Sequence, residues 1–410
     1  MTLLPVAAVV IGVLLVCASA VWEVRPHLTG SPPAPMLDLH VYQKAGVDVL
    51  SGRDVYDDYD DAADGAWFLY TPWAAVVAVA LAPIPHPVLV VVWTLLSAAV
   101  LLWLVRVGFA ASLGRVRPEY RVAAALVITA AVIRLQPVSE HLGLGQVNLA
   151  LAALCLADFV PRPRWLAWLP RGVLVGIATA LKLTPAVFVV YFLLTGRRRA
   201  ALSAVATALA CTVVGFAVLP HESIAYWGGL VVDPARLGYP EYTSNQGLYG
   251  MLLHATGSQS TAMKLLWLAA AAVVGTLSMR RAMRAARCGL EIHGVVTVGL
   301  LGALLSPLAW MNHFVWAVPA VGLALGDLRS RTRVVLTACV VAVLCTRVPW
   351  RWGDVPAPGL AGALVGNLYG LAFVALVFLV PVSGRVGGDA GDQARWRARR
   401  VRRAGAAPAS

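Results

Sequence analysis

The chain has 410 residues, of which 60% are hydrophobic and 13% are charged, and its mean hydropathy is +0.76. Soluble domains usually contain about one quarter charged residues, so this composition excludes an ordinary soluble domain. The formal net charge is +13, but the arginines cluster between apolar runs. This pattern indicates membrane topology and attraction to anionic lipid headgroups, and it argues against nucleic-acid binding.

Apolar runs of the length needed to cross a bilayer, about 20 residues, recur along the chain. They predict an all-α polytopic membrane protein with about 10–12 transmembrane helices plus short interfacial or re-entrant helices. The simple spans are placed at residues 5–22, 87–107, 121–136, 147–160, 200–219, 263–280, 292–306, 313–327, 333–348 and 358–381.

The first apolar run ends in Ala18-Ser19-Ala20, which is typical of a signal-peptide cleavage site. No Lys or Arg precedes the run, however, and a secretory signal needs a positively charged start. We therefore predict that residues 5–22 form a retained first span.

Two apolar segments do not fit as simple spans when every arginine cluster is placed in the cytoplasm. Residues 70–82 are short and include Thr71-Pro72, which favours an interfacial or re-entrant helix. Residues 172–195 are interrupted by Lys182-Leu183-Thr184-Pro185, and broken helices occur where they line a cavity. A miscounted span is the alternative explanation.

The same topology places four polar segments on the outer side of the membrane. They are residues 23–70, 137–147, 220–262 and 306–313. Polar groups at membrane depth are costly and usually mark a functional cavity. We predict one membrane-embedded domain, 1–384, in the plasma membrane with its active site on the extracytoplasmic face. A disordered, basic cytoplasmic tail is predicted for 385–410.

Asp38 opens the most acidic segment of the chain and has Leu37, Leu39 and Val41 around it. An apolar setting raises the pKa of a carboxyl group towards the range of a general base. The alternative is an Asp that caps a short helix. The later aspartates, up to Asp64, are interpreted as a solvated face. A metal site there is the alternative, but hard-cation loops need spaced oxygen ligands and usually glycine turns.

Three other places carry polar groups suited to chemistry. Gln146 and Asn148 follow a glycine turn, and their amides would bind sugar hydroxyls or clamp two helices together. Lys182 must snorkel, pair, or bind an anion such as a lipid phosphate. Trp310 would belong to an interfacial aromatic belt or stack on a sugar, and His313 would handle a proton or donate to a phosphate oxygen.

In their order along the chain, these stretches resemble the polyprenyl-phosphate-mannose-dependent α-1,2-mannosyltransferases of actinobacteria, glycosyltransferase family 87 of the GT-C membrane class. The closest resemblance is to the mycobacterial phosphatidylinositol-mannoside type. Each motif is weak alone, but the ordered set is specific and covers residues 38–316. The matching residues are Asp38-Leu39-His40-Val41-Tyr42, Tyr70-Thr71-Pro72, Gly145-Gln146-Val147-Asn148, Lys182-Leu183-Thr184-Pro185, Ser244-Asn245-Gln246, and Ser306-Pro307 with Trp310 and His313.

This sequence departs from the close type in three places. That type often has His-His where this chain has Asn312-His313, and Tyr-Pro-Pro where it has Tyr70-Thr71-Pro72. A Ser follows the Asn-Gln pair where Gly247 stands here.

The resemblance implies a GT-C fold in which Asp38 is the catalytic general base and His313 belongs to a second active-site motif. The expected reaction transfers mannose from polyprenyl-phosphate-mannose to a lipid-anchored glycan, with inversion, to form an α-1,2 linkage. The expected partners are this donor, the acceptor and the membrane, without cofactor, metal or nucleic acid. The expected substrate-binding residues are His40, Tyr42, Tyr70, Glu140, His141, Gln146, Asn148, Lys182, Asn245, Gln246, Trp310 and Asn312.

Two alternatives remain open at this point. A related enzyme would use another prenyl-phospho-sugar donor, such as an arabinofuranosyl donor. A lipid or glycan transporter would use the broken helices as a transport path, but transporters often show repeated halves with paired interrupted helices. We find no internal repeat in this sequence.

Overall fold

The computed structural model describes residues 3–29, 36–56, 67–233, 236, 238–352, 359–360 and 362–383. This part of the chain is all-helical. Its α-helices are α1 (Leu3–Thr29), α2 (Leu37–Ser51), α3 (Pro72–Ala78), α4 (His86–Gly108), α5 (Ala110–Leu113), α6 (Arg121–Val132), α7 (Gln136–Leu144), α8 (Asn148–Ala157), α9 (Val173–Leu181), α10 (Val187–Leu194), α11 (Arg198–Val218), α12 (Pro220–Gly228), α13 (Leu248–Thr256), α14 (Thr261–Arg287), α15 (Glu291–Leu305), α16 (Ala317–Leu325), α17 (Arg331–Cys345) and α18 (Leu368–Leu379).

Short 3-10 turns and one π-helix link these elements, at Val79–Leu81, Pro118–Tyr120, Arg164–Leu166, Thr184–Ala186, Leu230–Val232, Met311–Trp316, Pro349–Trp352 and Gly362–Gly366. The predicted tail at 385–410 and the aspartates at 57–64 lie outside the described residues.

Five described helical segments are long and apolar enough to cross a membrane. They are Leu4–Arg25, His86–Gly108, Arg198–Val218, Thr261–Arg287 and Arg331–Arg351. The bent pair Pro118–Val132 and Gln136–Leu144 adds a sixth, and further apolar helices of 10–17 residues accompany them. The all-helical, multi-pass membrane fold is therefore confirmed, and the total number of spans stays a prediction.

The helices form a buried centre and a lipid-facing periphery. α15 and α16 are buried on nearly every side, because apolar side chains surround the whole of each helix. α1, α11 and α14 expose large apolar side chains, among them Ile11, Val213 and Leu265. A helix whose apolar side chains face both the protein interior and the outer surface of the protein is expected to be in contact with lipid.

Glycines allow the central helices to approach closely. A Cβ on Gly108 of α4 would lie 2.5 Å from the Cα of Pro319, and one on Gly322 would lie 2.5 Å from the carbonyl carbon of Gly108. Small residues at helix contacts are the usual basis of close packing in membranes. This contact fixes α4 against α16.

α6 and α7 meet at an angle of 80°, which the prediction of a single span at 121–136 did not anticipate. Pro137 is in the first turn of α7, and the N-cap Leu135, two residues before it, is extended. Proline is favoured in a first helical turn, where its missing N–H costs no hydrogen bond, so a new helix begins readily here. The bend turns α7 out of the line of α6.

The other predicted irregular segments are present. α9 ends at Leu181, and Lys182 is extended before the turn that leads into α10. Thr71 caps α3 and its hydroxyl donates to the carbonyl of Ala180, at the end of α9. The short α3 therefore touches the break in 172–195.

α2 packs against α3 through Gly46, where an added Cβ would lie 2.2 Å from the carbonyl oxygen of Ala78. The first turn of α2 meets the end of α7 at a second glycine, Gly145, where an added Cβ would lie 2.7 Å from Cβ of Leu39. Since α7 and the end of α9 carry predicted site residues, this packing brings the motifs together.

Candidate active site

Asp38 lies in the first turn of α2, but it does not cap the helix. The N-cap is Met36, whose backbone is left-handed with φ 54°, so the capping alternative for Asp38 is wrong. A carboxylate in a first helical turn is favoured by the helix dipole. The side chain is free to face the cavity described below.

Gly145 sets the distance between α2 and α7. It ends α7 in the left-handed region, with φ 70°, and an added Cβ would lie 2.7 Å from Cβ of Leu39 and 2.9 Å from Cβ of Met36. Only glycine adopts this backbone without strain and leaves that space. The next residue, Gln146, is consequently held against Asp38.

The Gln146 side chain is the centre of a buried hydrogen-bond network. It donates to the Asp38 carboxylate. Its Oε1 accepts bonds from the hydroxyls of Tyr42 and Tyr70, each at 3.2 Å, and from Asn148 Nδ2, also at 3.2 Å. The two tyrosine hydroxyls are themselves 2.8 Å apart. This places four predicted residues in one network with Asp38.

Asn148 extends the network to the remaining motifs. Its Nδ2 donates to Oδ1 of Asn312 at 2.8 Å, and its Oδ1 accepts from Lys182 Nζ at 3.0 Å. Lys182 Nζ is also 3.0 Å from Nε2 of His313 and 5.3 Å from the ring centre of Tyr70. Asn148 therefore forms the interhelical clamp that was one of its two predicted roles.

A cavity of about 1370 Å³ opens on one side of this network. We call it the outer cavity, because the polar segments that line it are those predicted to lie on the outer side of the membrane. It is large enough for several sugar residues, because pockets for drug-sized ligands are about 300–1,000 Å³. Its lining comes from all four polar segments and from helix ends near them, and consists of Trp22, Glu23, Arg25, Leu37, Asp38, Arg134, Gln136, Ser139, Glu140, Leu144, Gln146, Tyr242, Ser244, Trp310, Asn312, Arg347 and Trp350.

Burial is the main influence on the charge of Asp38. It raises the pKa of this carboxyl group from 3.8 to about 6, although the Gln146 hydrogen bond and the charge of Lys182 both lower it. A carboxylate with a pKa near neutrality is ionised at physiological pH and takes a proton more readily than an exposed one. Asp38 therefore has the position and basicity of a general base.

A second, much smaller space lies on the far side of the network. This side cleft has a volume of about 40 Å³ and is lined by Asn148, Thr184 and His313 among apolar residues. About three water molecules fit in such a volume. Lys182 and His313 do not line the outer cavity. Lys182 is joined to the network by its hydrogen bond to Asn148, and His313 is joined to it through Lys182.

An aromatic wall, composed of Tyr242, Trp310 and Trp350, borders the outer cavity. The ring of Tyr242 meets Trp310 edge-on at 6.1 Å and Trp350 at 5.7 Å. Glu140 also lines the cavity and accepts a hydrogen bond from Ser244 Oγ at 3.1 Å. The wall offers flat apolar faces beside polar groups, which suits sugar rings.

Eight of the twelve predicted substrate-binding residues do not line the outer cavity. Tyr42, Tyr70, Asn148 and Lys182 belong to the network beside it, and the other four are His40, His141, Asn245 and Gln246. His40 packs against the ring of His86 at 5.5 Å, and His141 is buried with neither ring nitrogen bonded to another described residue. Asn245 and Gln246 are completely buried. Their predicted contact with substrate is not supported by this position.

The side-chain amides of Asn245 and Gln246 form hydrogen bonds with backbone groups instead. Asn245 donates to the carbonyls of Pro240 and Pro307 and accepts from the amide of Ala309. Gln246 donates to the carbonyls of Thr243 and Gly366 and accepts from the amide of Gly370. They hold the loop that carries Tyr242 and Ser244 against the segment that carries Trp310.

The sequence interpretation missed several lining residues at helix ends. Glu23 forms an ion pair with Arg134 and accepts a bond from Ser139, and Arg25 and Arg347 line the same cavity. A signal was available, because these arginines lie at the outer ends of predicted spans. The positive-inside rule does not account for arginines there.

Within the described residues, no group of three or more His, Cys, Asp or Glu side chains is arranged to hold a metal ion. The groups that are present can accept a proton, bind hydroxyls and place positive charge near a reacting centre. Those are the requirements of glycosyl transfer from a phosphate-activated sugar.

The model of glycosyltransferase family 87 matches residues 68–310. A Mycobacterium tuberculosis protein named polyprenol-phosphate-mannose-dependent alpha-(1-2)-phosphatidylinositol mannoside mannosyltransferase is 32% identical over 353 residues, 82% of this chain and 80% of the relative. Its counterpart of the same name in Mycolicibacterium smegmatis is 33% identical over 359 residues, 82% of this chain and 79% of the relative.

A second Mycobacterium tuberculosis relative is named polyprenol-phosphate-mannose-dependent alpha-(1-2)-phosphatidylinositol pentamannoside mannosyltransferase. It is 31% identical over 406 residues, 96% of this chain and 90% of the relative. No solved structure is a significant match to the chain. The family match and these likenesses over most of the chain show that the protein is a membrane glycosyltransferase that belongs to glycosyltransferase family 87.

Proposed function

We propose that this enzyme transfers mannose from polyprenol-phosphate-mannose to a lipid-linked mannoside and forms an α-1,2 linkage. The names of the relatives support both the donor and the linkage. The observation that carries the mechanism is the Asp38 carboxylate, which lines the outer cavity and has the Gln146 amide as a hydrogen-bond partner.

The reaction is a single displacement with inversion at the anomeric carbon. An acceptor hydroxyl attacks this carbon while its proton passes to Asp38, and the bond from the carbon to the phosphate oxygen breaks. The electron pair leaves on the polyprenyl phosphate. A phosphate is a stable anion, so its departure needs positive charge nearby and no strong acid.

Lys182 supplies that positive charge in this proposal. Its ammonium is held by Asn148 and His313, each 3.0 Å away, and attracts Asp38 across the network. We place the donor phosphate at the edge formed by Asn148 and Asn312, where the charge of Lys182 stabilises the leaving group. The acceptor sugar then lies between Asp38 and the aromatic wall.

We further propose that the outer cavity opens on the extracytoplasmic face of the plasma membrane. The arginine-rich connections lie at the other ends of the spans, and cytoplasmic loops carry the excess of positive charge. A donor with a polyprenyl chain then reaches the cavity from the bilayer, and the glycan remains in water.

The test is transfer of labelled mannose by the purified chain in liposomes, with Asp38→Asn as the variant. The amide keeps the shape of the carboxylate but does not take the proton, so transfer should fall by about 10²–10⁴-fold while the protein stays folded. Asp54→Asn is the matched control, because Asp54 accepts a bond from the backbone of Tyr56 and does not line the cavity.

Acceptors should include phosphatidylinositol mannosides with few and with several mannose residues, since the relatives differ in this respect. Equal transfer by wild type and Asp38→Asn would remove Asp38 as the base. Transfer from a prenyl-phospho-arabinofuranose and not from the mannose donor would replace the donor sugar.

A further inference from the structure

Glu140 is a carboxyl group of the outer cavity that has no part in the proposed reaction. Its Oε2 accepts a hydrogen bond from Ser244 Oγ at 3.1 Å, but its Oε1 has no hydrogen-bond partner among the described residues. The residue is half-buried, and Oε1 is not enclosed by the protein. Glu23, which lines the same cavity, has both oxygens bonded, to Arg134 and Ser139. One oxygen of Glu140 therefore remains for a ligand.

The Glu140 carboxyl group is held in place by Ser244. Ser244 Oγ donates to it and also accepts a hydrogen bond from the amide of Met311 at 3.1 Å. The neighbouring Asn245 donates to the carbonyl of Pro307 at 3.1 Å, which fastens the same loop. A group that is fixed before its ligand arrives loses less conformational freedom on binding. Glu140 is thus a pre-organised hydrogen-bond acceptor.

The aromatic wall lies beside this carboxyl group. Tyr242 is two residues before Ser244, and Trp310 directly precedes Met311, so the two bonds of Ser244 connect Glu140 with the wall. A sugar ring has an apolar face that packs on an aromatic ring and hydroxyls that donate to a carboxylate. A phosphate is unsuited to this position, because carboxylate and phosphate repel each other.

Glu140 is offset from Asp38 along α7. The residues of this helix that line the cavity are Gln136, Ser139, Glu140 and Leu144. From Glu140 to Leu144 the helix rises about 6 Å at 1.5 Å per residue, and Gln146, the partner of Asp38, lies beyond its end. This offset exceeds the width of one sugar ring. When a hydroxyl of the terminal ring is at Asp38, the next ring of the acceptor therefore reaches Glu140.

We infer that Glu140 and Trp310 form a second sugar subsite, which binds the ring next to the one that accepts mannose. The inference rests on the proposed mannosyl transfer for the direction of the glycan. Oε1 of Glu140 accepts a hydrogen bond from a hydroxyl of this inner ring, whose apolar face packs on Trp310. The enzyme consequently selects its acceptor by the last two sugars, and a lipid with a single sugar is a poor acceptor.

Glu140→Gln is the principal variant, because the amide keeps the size of the side chain and can still accept from Ser244. The acceptors are neutral alkyl glycosides with one mannose and with two, the second in each linkage between the rings. For the wild type, KM of the best dimannoside should be at least tenfold below KM of the monomannoside. The variant should raise KM of the dimannoside about tenfold, since a bond to a charged group is lost. The KM of the monomannoside, the KM of the donor and kcat should stay unchanged.

Glu241→Gln is the matched control. Glu241 belongs to the same loop, but it accepts a bond from Gln259 at the surface, at 3.0 Å, and does not line the cavity. All its kinetic constants should equal those of the wild type.

Dimannosides that each lack one hydroxyl of the inner ring give a second test, which does not depend on the stability of a variant. Removal of the hydroxyl that Glu140 binds should raise KM for the wild type about tenfold. For this acceptor Glu140→Gln and the wild type should have the same KM. If no inner hydroxyl affects KM of the wild type, the inference is overturned.

Equilibrium binding of the dimannoside, followed by tryptophan fluorescence, gives a readout that is independent of transfer. An equal KM change for one and two mannose residues, or no change for either, overturns the inference while wild-type transfer upholds the proposed function. A raised KM for the donor assigns Glu140 to the donor and also overturns it. Dimannoside binding that weakens in Glu140→Gln, without any mannosyl transfer by the wild type, supports the subsite and rejects the proposed function.

Discussion

Oε1 of Gln146 lies 3.2 Å from each of three donors, on Tyr42, Tyr70 and Asn148. Because these donors surround the amide oxygen, they orient the amide with its NH₂ group towards Asp38. The carboxylate therefore faces a hydrogen-bond donor. This donor orients Asp38 and, together with Lys182, limits the rise of its pKa that burial causes.

The pH dependence of transfer should report this carboxyl group. Because the pKa of Asp38 is raised to about 6, the base is ionised above that pH and protonated below it. The value of kcat/KM should fall about tenfold per pH unit well below 6, as Asp38 is protonated. It should also fall above about pH 8, because burial lowers the pKa of Lys182 to about 8 and its positive charge is then lost. A pH profile of mannosyl transfer with saturating donor measures it.

Lys182→Met tests the assignment further. Removal of the positive charge takes away an influence that lowers the pKa of Asp38, so the acid limb of the profile should move to higher pH, and kcat should fall. Lys264→Met, on the surface at the start of α14, is the matched control and should leave the limb in place. An acid limb that does not move in Lys182→Met contradicts the link between the two residues.

For individual residues, the sequence predicts which side chains belong to the site better than it predicts what each of them binds. The motif order brings Asp38, Gln146, Asn148, Lys182 and Asn312 together, and the structure connects them in one network. Whether an amide binds substrate or backbone depends on neighbours that are distant in the chain. The amides of Asn245 and Gln246 bind backbone for that reason.

The junction between α2 and α7 depends on Gly145. Gly145→Ala should destabilise the protein by about 1–2 kcal/mol through its left-handed backbone alone, and further through the contact with Leu39 and Met36. The transfer activity should fall by more than the loss of folded protein accounts for, because α2 carries Asp38. Thermal unfolding in detergent and the transfer assay measure the two effects.

Gly52→Ala is the matched control for that variant. Gly52 ends α2 with φ 66°, and an added Cβ there meets no atom within 4 Å. The Gly52→Ala variant has the same energetic cost from its left-handed backbone but no close contact with a neighbouring helix. Its transfer activity should therefore stay near that of the wild type. Equal losses in both variants would show that close approach at Gly145 is unimportant.

Elements were predicted well where an apolar run is long and poorly where it is broken. The bend between α6 and α7 was missed although Gln136-Pro137 marks it, because Pro137 was taken as part of a polar turn after a span. The segment 220–262 was interpreted as a polar loop, yet it contains α12 and α13. Short helices leave too few turns for an apolar period to show.

The proposed orientation of the molecule in the membrane predicts which end of α14 is accessible from outside the cell. This helix has 27 residues and is about 40 Å long at 1.5 Å per residue. Gln259 precedes it and exposed Cys288 follows it. In intact cells, a membrane-impermeant maleimide should label Gln259→Cys and should not label Cys288.

The measurement uses two chains, each with one cysteine. In the first, all six natural cysteines are replaced and Gln259→Cys is introduced; in the second, only Cys288 is kept. Labelling of the Cys288 chain after permeabilisation is the control that the thiol is reactive. The reverse pattern in intact cells would place the outer cavity in the cytoplasm.

The pair formed by Glu23 and Arg134 has a consequence for how this protein is made. The two residues are 111 positions apart, and the bond from Ser139 to Glu23 spans 116. During synthesis α1 enters the bilayer before α6 and α7 have been made. The Glu23 carboxylate therefore has neither of these partners at that stage and stays at the membrane surface. Arg347 and Trp350 complete the same cavity still later. The outer cavity is therefore complete only after nearly the whole chain has been synthesised and inserted. A chain truncated before Arg347 should insert into the membrane without becoming active.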